Sequence, residues 1–325
     1  MRFVTFTHAG GPPRVGALIE GDGAVVDLTT RSGGRLASLQ ALIAAGNAAL
    51  EFARTLLEGR GTADVLHASS VRLLAPLPVP ESIRDALCFE AHYKKAYEEL
   101  YKRIAAHEPD PAKAYEGYRR AGKLGPPPHW YDRPSFGLCN RFAVIGPDDE
   151  VRRPNGVKEL DYELELACVV GRPGRDIAAD AAASHIFGYT ILNDFSARDL
   201  QAENMRRGEG GRGSAKEFDT GYALGPCIVT ADEIGDAYAL EMVARVNGRE
   251  WSRGNSRDMY HGFEDLIAAA SIDTTLHPGE VFGSGTVGGG CGLELGRFLE
   301  DGDVVELEIE KIGTLRNRIA GRGPA

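Results

Sequence analysis

The chain has 325 residues, 43% of them hydrophobic, enough for one large domain plus a small one with sizeable cores. Its 37 basic and 47 acidic residues leave a formal charge of −10 without any dense Lys/Arg block, which argues against a nucleic-acid partner. No apolar run approaches the roughly 18 residues of a spanning helix and the first eight residues lack a signal-peptide core, so a cytoplasmic protein without membrane contact is expected. The five cysteines, Cys88, Cys139, Cys168, Cys227 and Cys291, are scattered and form no Cys-x-x-Cys pair. That predicts neither a disulfide framework nor a zinc knuckle, and Cys168 and Cys227 read as small core residues.

Residues 2–7, 15–20 and 24–28 are short strand-like runs. Leu36, Leu39, Leu42, Ile43, Leu50, Ala53, Leu56 and Leu57 then fall near helical spacing and predict one amphipathic helix. Three prolines within residues 74–80 predict a stiff connector, which divides the chain into a small N-terminal α+β domain, residues 1–76, and a second domain, residues 77–325. Tyr93, Tyr97, Leu100, Tyr101 and Ile104 predict another helix, and residues 108–134 show so little pattern that a mobile cover is expected there. Residues 179–185 read as a short helix, 188–194 as a buried strand ending on Asp194, and 195–201 as a helical turn. A glycine-rich loop, residues 208–213, then delivers Lys216. The remainder is mostly strand, at 227–230, 240–246 with an Asn247-Gly248 turn, 280–283 and 304–309, with one helix at 259–270. Strands that follow one another without helices argue for a β-rich α+β fold, not a doubly wound parallel sheet.

Chemistry concentrates around residues 160–166, Leu-Asp-Tyr-Glu-Leu-Glu-Leu. After Asp161 the alternation is that of a strand, so Glu163 and Glu165 share a face with Cα atoms about 6.5–7 Å apart. Like charges so close repel unless a cation lies between them; the competing reading is a solvated acidic face on an edge strand. The unalternating Ala167-Cys168-Val169-Val170 run that follows looks buried on both faces and weighs against that reading. Residues 283–288, Gly-Ser-Gly-Thr-Val-Gly, match a dinucleotide fingerprint, but no helix pattern follows and no nicotinamide or flavin is expected. Asp85, Glu163, Glu165 and Asp194 remain, each at or beside a strand-like segment, with His92 seven positions after Asp85. An all-oxygen set suits a hard cation, Mg²⁺ first, with Mn²⁺ or Ca²⁺ as alternatives.

Together these stretches resemble the fumarylacetoacetate hydrolase family over about residues 80–312. The acidic strand looks like the family's metal strand, and Asn193-Asp194-Phe195-Ser196-Ala197-Arg198-Asp199-Leu200-Gln201 like its second signature. Lys216-Glu217-Phe218-Asp219 and Gly283-Ser284-Gly285-Thr286 look like its lysine and threonine motifs. The resemblance implies a mixed β-sandwich or roll catalytic domain and a homodimer. It also implies Asp85, Glu163, Glu165 and Asp194 as metal ligands, His92 paired with Glu294 to activate water, and Arg198, Gln201, Lys216 and Thr286 directed at the substrate or its developing charge. Residues 88–92, Cys-Phe-Glu-Ala-His, lack the Asn-Tyr pair that precedes the histidine in many smaller relatives, which makes Glu90 a competing ligand or acid.

Such a site fits a 1,3-dicarbonyl keto acid of the acylpyruvate type and its hydrolytic carbon–carbon cleavage, with Lys216 and Gln201 stabilising an oxyanion. The same groups also fit decarboxylation, isomerisation or tautomerisation of a 2-keto acid, or dehydration of a sugar acid. A protein that merely holds Ca²⁺ for stability would have no use for His92, Glu294 and Lys216.

Overall fold

The computed structural model describes residues 1–321 apart from Glu20, Arg60 and Ala63. Three antiparallel strands, Tyr222–Thr230, Ile186–Asp194 and Leu164–Val170, form the middle of a 12-stranded sheet. On one side the sheet continues through Arg2–His8, Arg14–Ile19, Ala24–Asp27 and Val65–His67, and on the other through Val281–Gly283, Ile83–Ala86 and Phe136–Cys139. Val71–Leu74 and Val144–Ile145 pair off this path. A second sheet of five strands runs Arg249–Asn255, Glu241–Val246, Val304–Ile309, Gly313–Ile319, Glu150–Val151. The fold is therefore α+β and β-rich. Its 247–248 hairpin turn is built as expected, with Asn247 and Gly248 both in the left-handed region (φ 51° and 73°).

Alternation along the central strands decides what each face meets. In Leu164–Val170 the even positions Leu164, Leu166, Cys168 and Val170 join a core with Met242, Ala244 and Leu307 of the second sheet. The odd positions Ala167 and Val169 face the other way, into a core shared with Phe3, Leu42 and Ile83. A strand buried on both faces has no solvated side, which is why its sequence loses alternation. The same parity places Glu165 on the face of Ala167, Asp194 on that of Leu192 and Asp85 on that of Ile83. Three acids on three strands thus come to one end of one face. Arg2–His8 is registered on Tyr222–Thr230 (Arg2↔Val229, Phe3↔Ile228), so the sheet crosses from residues 1–76 into the rest of the chain without a break.

Some expected elements are drawn differently. The single helix over residues 36–57 is two, Leu39–Ala44 and Asn47–Glu58, because Gly46 takes a left-handed turn (φ 69°) between them. The stretch 108–134 is not irregular: it holds the helices Pro111–Arg120 and Pro128–Asp132. Asp110 caps the first, accepting from the Lys113 amide, and proline stands in the first turn of both, a start signal that the glycines and prolines around it obscured. Trp130 of the second donates to the Leu87 carbonyl at 2.8 Å. Residues 195–201 split into the short strand Ser196–Ala197 and the start of the helix Arg198–Arg206. The late helix runs Phe263–Ser271, shorter than 259–270 at its start. Glu20, the expected end of the second strand, lies outside the described residues.

Arg31 closes the helix Leu28–Arg31 and grips Asp64 with two nitrogens, at 2.5 and 2.7 Å, while a third donates to the Leu56 carbonyl. This hydrogen bonding holds the Asp64 carboxyl below its ordinary value of 3.8. A depressed carboxylate contributes stability that is complete above that ordinary value and is lost as pH falls through the lower folded-state value. Asp64→Asn is expected to cost about 1.5–3 kcal/mol. Urea melts should show the same gap from the parent between pH 8 and about 5, narrowing only at lower pH; a gap that closes near neutrality would contradict this reading of the pair.

Candidate active site and metal centre

A cavity of about 280 Å³ opens at the end of the face that carries the acids. Asp85, Glu163 and Glu165 line it together with His92, Arg198, Gln201, Lys216 and Thr286. One wall is apolar and comes from the helix Glu90–Ala105, through Ala96, Tyr97 and Leu100. Sequence positions as far apart as 85 and 286 therefore meet in one space. Oxygens of Asp85, Glu165 and Asp194 lie within 4.8 Å of one another. All three residues are at most 5% exposed.

Each of these three acids has one oxygen held and one free. Arg212 donates to Asp85 Oδ2 (2.7 Å), the Gly285 amide to Glu165 Oε2 (3.2 Å) and Lys216 to Asp194 Oδ2 (2.6 Å). Asp85 Oδ1, Glu165 Oε1 and Asp194 Oδ1 are buried without a hydrogen-bond partner among the described residues. Three buried carboxylate oxygens left unsatisfied in one small volume are costly unless a cation joins them, and the all-oxygen set suits a hard divalent ion. Burial, reinforced by Asp85, Glu163 and Asp194, pushes the Glu165 carboxyl well above the carboxylate range. Asp194 is pushed the same way, by burial first, with Lys216 opposing.

Glu163 is placed differently from its neighbour two positions on. Arg198 takes its Oε1 at 2.7 Å and Lys216 its Oε2 at 2.5 Å. Against the effect of burial, Lys216 and Arg198 hold this carboxyl below its usual range. Both oxygens are thus occupied by side-chain cations. Glu163 and Glu165 do line the same cavity, as the alternation predicted, although the strand itself begins only at Leu164 and residues 160–161 pair separately with Ser196–Ala197.

His92 is 4% exposed, and its Nδ1 lies 2.7 Å from Glu294 Oε1. Glu294 is steadied in turn by the Gly289 amide (2.9 Å) and the Cys291 thiol (3.5 Å). Glu90 instead engages Lys94 at 2.7 Å and the Tyr131 hydroxyl. Gln201 is committed at both ends, accepting from Arg198 and donating to the Gly211 carbonyl. The Thr286 hydroxyl is buried on the cavity without a partner among the described residues.

Two residues escaped the sequence reading. Asp161 is fully buried, accepts from Arg198 Nε at 2.7 Å and from the amides of Gly292 and Leu293, and so fixes both Arg198 and the turn that carries Glu294. Its signal lay in the acidic motif itself, where only the glutamates were weighed. Arg212 sits in the glycine-rich loop, of which the sequence pointed only to the delivery of Lys216. The dinucleotide-like glycines also find their reason here: a Cβ on Gly283 would come within 2.6 Å of Glu165 Oε2 and 3.3 Å of Asp85 Oδ1. Gly283 makes room for carboxylates, whereas a Cβ on Gly285 would meet the Ala86 carbonyl and one on Gly288 the Ala91 side chain.

Losing Glu165 as a ligand should weaken Mg²⁺ binding by no less than the roughly 10- to 100-fold that losing an outer partner costs. Glu163→Gln, whose parent oxygens are already taken, is expected to cost less than Glu165→Gln. Because Glu165 and Asp194 are held above the carboxylate range, binding must release protons and strengthen as pH rises. Calorimetric titration at several pH values checks both points, and equal losses in the two variants would put Glu163 among the ligands.

Comparison with known proteins bears on the whole chain. Residues 104–320 match the C-terminal fumarylacetoacetate (FAA) hydrolase family. A mitochondrial oxaloacetate tautomerase of Xenopus laevis is 32% identical over 323 residues, 98% of this chain and 90% of the relative. An oxaloacetate tautomerase of Bacillus subtilis is 32% identical over 253 residues, 77% of this chain and 74% of that protein. Among solved structures, a fumarylacetoacetate hydrolase from Exiguobacterium antarcticum superposes with a TM-score of 0.74 at 27% identity, covering 99% of this chain and 100% of the other. With two thirds of its length matched and relatives aligned nearly end to end, the chain belongs to the fumarylacetoacetate hydrolase family.

Proposed function

We propose that the protein is a divalent-metal-dependent enzyme that interconverts the keto and enol forms of a small 2-keto acid of the oxaloacetate type. The observation that carries this reading is the buried His92–Glu294 pair on the same cavity as the acid cluster. Tautomerisation needs one group that can take a proton from carbon and return it to oxygen, held close to a site that polarises the carbonyl. The similarity to oxaloacetate tautomerases, nearly end to end for that of Xenopus laevis, supports the same choice over the carbon–carbon hydrolysis expected from the sequence.

Asp85, Glu165 and Asp194 would hold the cation, with Mg²⁺ as the first choice for oxygen donors, and when bound it supplies Lewis-acid polarisation of the substrate's oxygens. His92 does the proton work. With Nδ1 committed to Glu294, Nε2 is the nitrogen that takes the proton, and the carboxylate steadies the imidazolium that forms. Lys216, which Asp194 and Glu163 hold charged against the effect of burial, stands where negative charge develops on the substrate. Thr286 offers its free hydroxyl to a substrate oxygen, while Arg198 and Gln201 keep Glu163 and the 208–213 loop in place. The apolar wall of Ala96, Tyr97 and Leu100 sheds water from the reacting carbon. A homodimer, implied by the family resemblance, belongs to the same reading.

Hydrolytic cleavage stays the second reading, because an imidazole backed by a carboxylate can equally activate water. Incubating the Mg²⁺-loaded protein with oxaloacetate and with acylpyruvates, while following enol absorbance and product identity by NMR, separates the two. Faster keto–enol equilibration with every carbon retained is the expected result; release of two carbon fragments from an acylpyruvate would sink it. His92→Ala is expected to lower kcat by roughly 10²- to 10⁴-fold. Adding Glu294→Gln should cost little more, since the carboxylate acts through the imidazole. Full turnover without His92 would remove the proposed proton carrier.

A further inference from the structure

We infer that Arg212 is a positioning residue that holds Asp85 with one oxygen free for the cation, and that Gly137 exists to let it reach there. The inference rests on the metal reading above and assigns a role to a residue that none of the family-like motifs contains. Asp85 on Ile83–Ala86 stands directly across from Gly137 on the neighbouring strand Phe136–Cys139. The Arg212 side chain crosses at that point: a Cβ on Gly137 would lie 3.0 Å from Arg212 Cδ and 3.4 Å from its Nε. Beyond the glycine, the guanidinium donates to Asp85 Oδ2 at 2.7 Å, leaving Oδ1 as the unsatisfied atom.

The guanidinium is itself held on its remaining sides. Its other nitrogens meet the Tyr222 hydroxyl (3.0 Å), Cys139 Sγ (3.0 Å) and Glu217 Oε1 (3.4 Å), and Tyr222 donates to the same Glu217 oxygen at 2.9 Å. The loop backbone is tied to the helix Arg198–Arg206 through Gln201 to the Gly211 carbonyl and Asn204 to the Arg212 carbonyl. A planar fork fixed at both ends sets the orientation of the carboxylate it grips, as a freely rotating ammonium would not. Since it occupies Oδ2 and not the free oxygen, a cation has no need to displace it. The geometry is that of an orienting partner, not a competitor, and the two roles predict opposite signs.

The test is calorimetric titration of chelator-stripped protein with Mn²⁺, alongside thermal unfolding of the metal-free forms. Arg212→Gln is expected to weaken Mn²⁺ binding about 10- to 100-fold, the usual effect of losing an outer partner. Arg212→Lys, which retains charge without the fork and serves if the glutamine variant folds poorly, should fall between the two. Gly137→Ala, which alters no charge, should weaken binding in the same direction by crowding the arginine stem. On an Asp85→Asn background, Arg212→Gln should cost much less than in the parent, because its effect passes mainly through that carboxylate and only the 3.7 Å approach to Asp194 Oδ2 remains. Unchanged or tighter binding in Arg212→Gln, or losses that add in the double variant, would overturn the assignment while leaving the metal reading standing. Failure of the wild-type protein to bind Mn²⁺ would remove both.

Discussion

Negative charge crowded among buried side chains is the constraint on which this site depends. Asp85, Asp161, Glu163, Glu165 and Asp194 are all at most 5% exposed, and Arg198, Arg212 and Lys216 are threaded between them. Asp161 and Glu163 share Arg198, Glu163 and Asp194 share Lys216, and Asp85 has Arg212. Among the described residues, Glu165 receives only an amide. With all five carboxylates ionised, the three side-chain cations leave a net charge of two negative, which a divalent ion would balance. An isolated buried carboxylate is among the most costly groups in a folded protein, so the cation belongs to the stability of this region as well as to its chemistry.

The sheet makes that crowding possible. The ends of four neighbouring strands, three bearing the acids and one bearing Gly283, bring these side chains together with no loop to hold them. Gly283, between Asp85 and Ala167 in the ladder, removes the one side chain that would stand among the oxygens. The price of such an arrangement is that its members come from remote parts of the chain. His92 and Glu294 are an example: they stand 202 apart in residue number, and the turn Gly292–Leu295 is fixed to the rest of the site by Asp161.

How much of this was legible in the sequence follows from the same geometry. Alternation revealed Glu163 and Glu165 as same-face neighbours, and the loss of alternation after Leu166 revealed burial on both faces, because both are properties of a single strand. It could not reveal that one glutamate would be neutralised by Arg198 and Lys216 while the other would not, since those cations arrive from another helix and loop. Arg212 was invisible for a related reason: nothing within residues 208–213 says which strand that loop will cross. The helix at Pro111–Arg120 was legible in principle, through Asp110 and Pro111, and was hidden by weighing glycine and proline only as breakers. The family match itself begins at residue 104, so seven of the residues that line the cavity, Asp85 and His92 among them, lie before it.

The pairing of Arg2–His8 with Tyr222–Thr230 has a consequence for anyone who would shorten this protein. The partner strand is nine residues long, nearly all buried, and its other neighbour ends on Asp194. A fragment beginning after the proline-rich connector would keep every residue that lines the cavity and still uncover the apolar Ile228–Val229 end of that strand, since Val144–Ile145 covers only Tyr222–Ala223. An edge of that kind recruits other chains. The strand Arg2–His8 thus acts as a permanent seal, keeping its neighbour from pairing with a stranger.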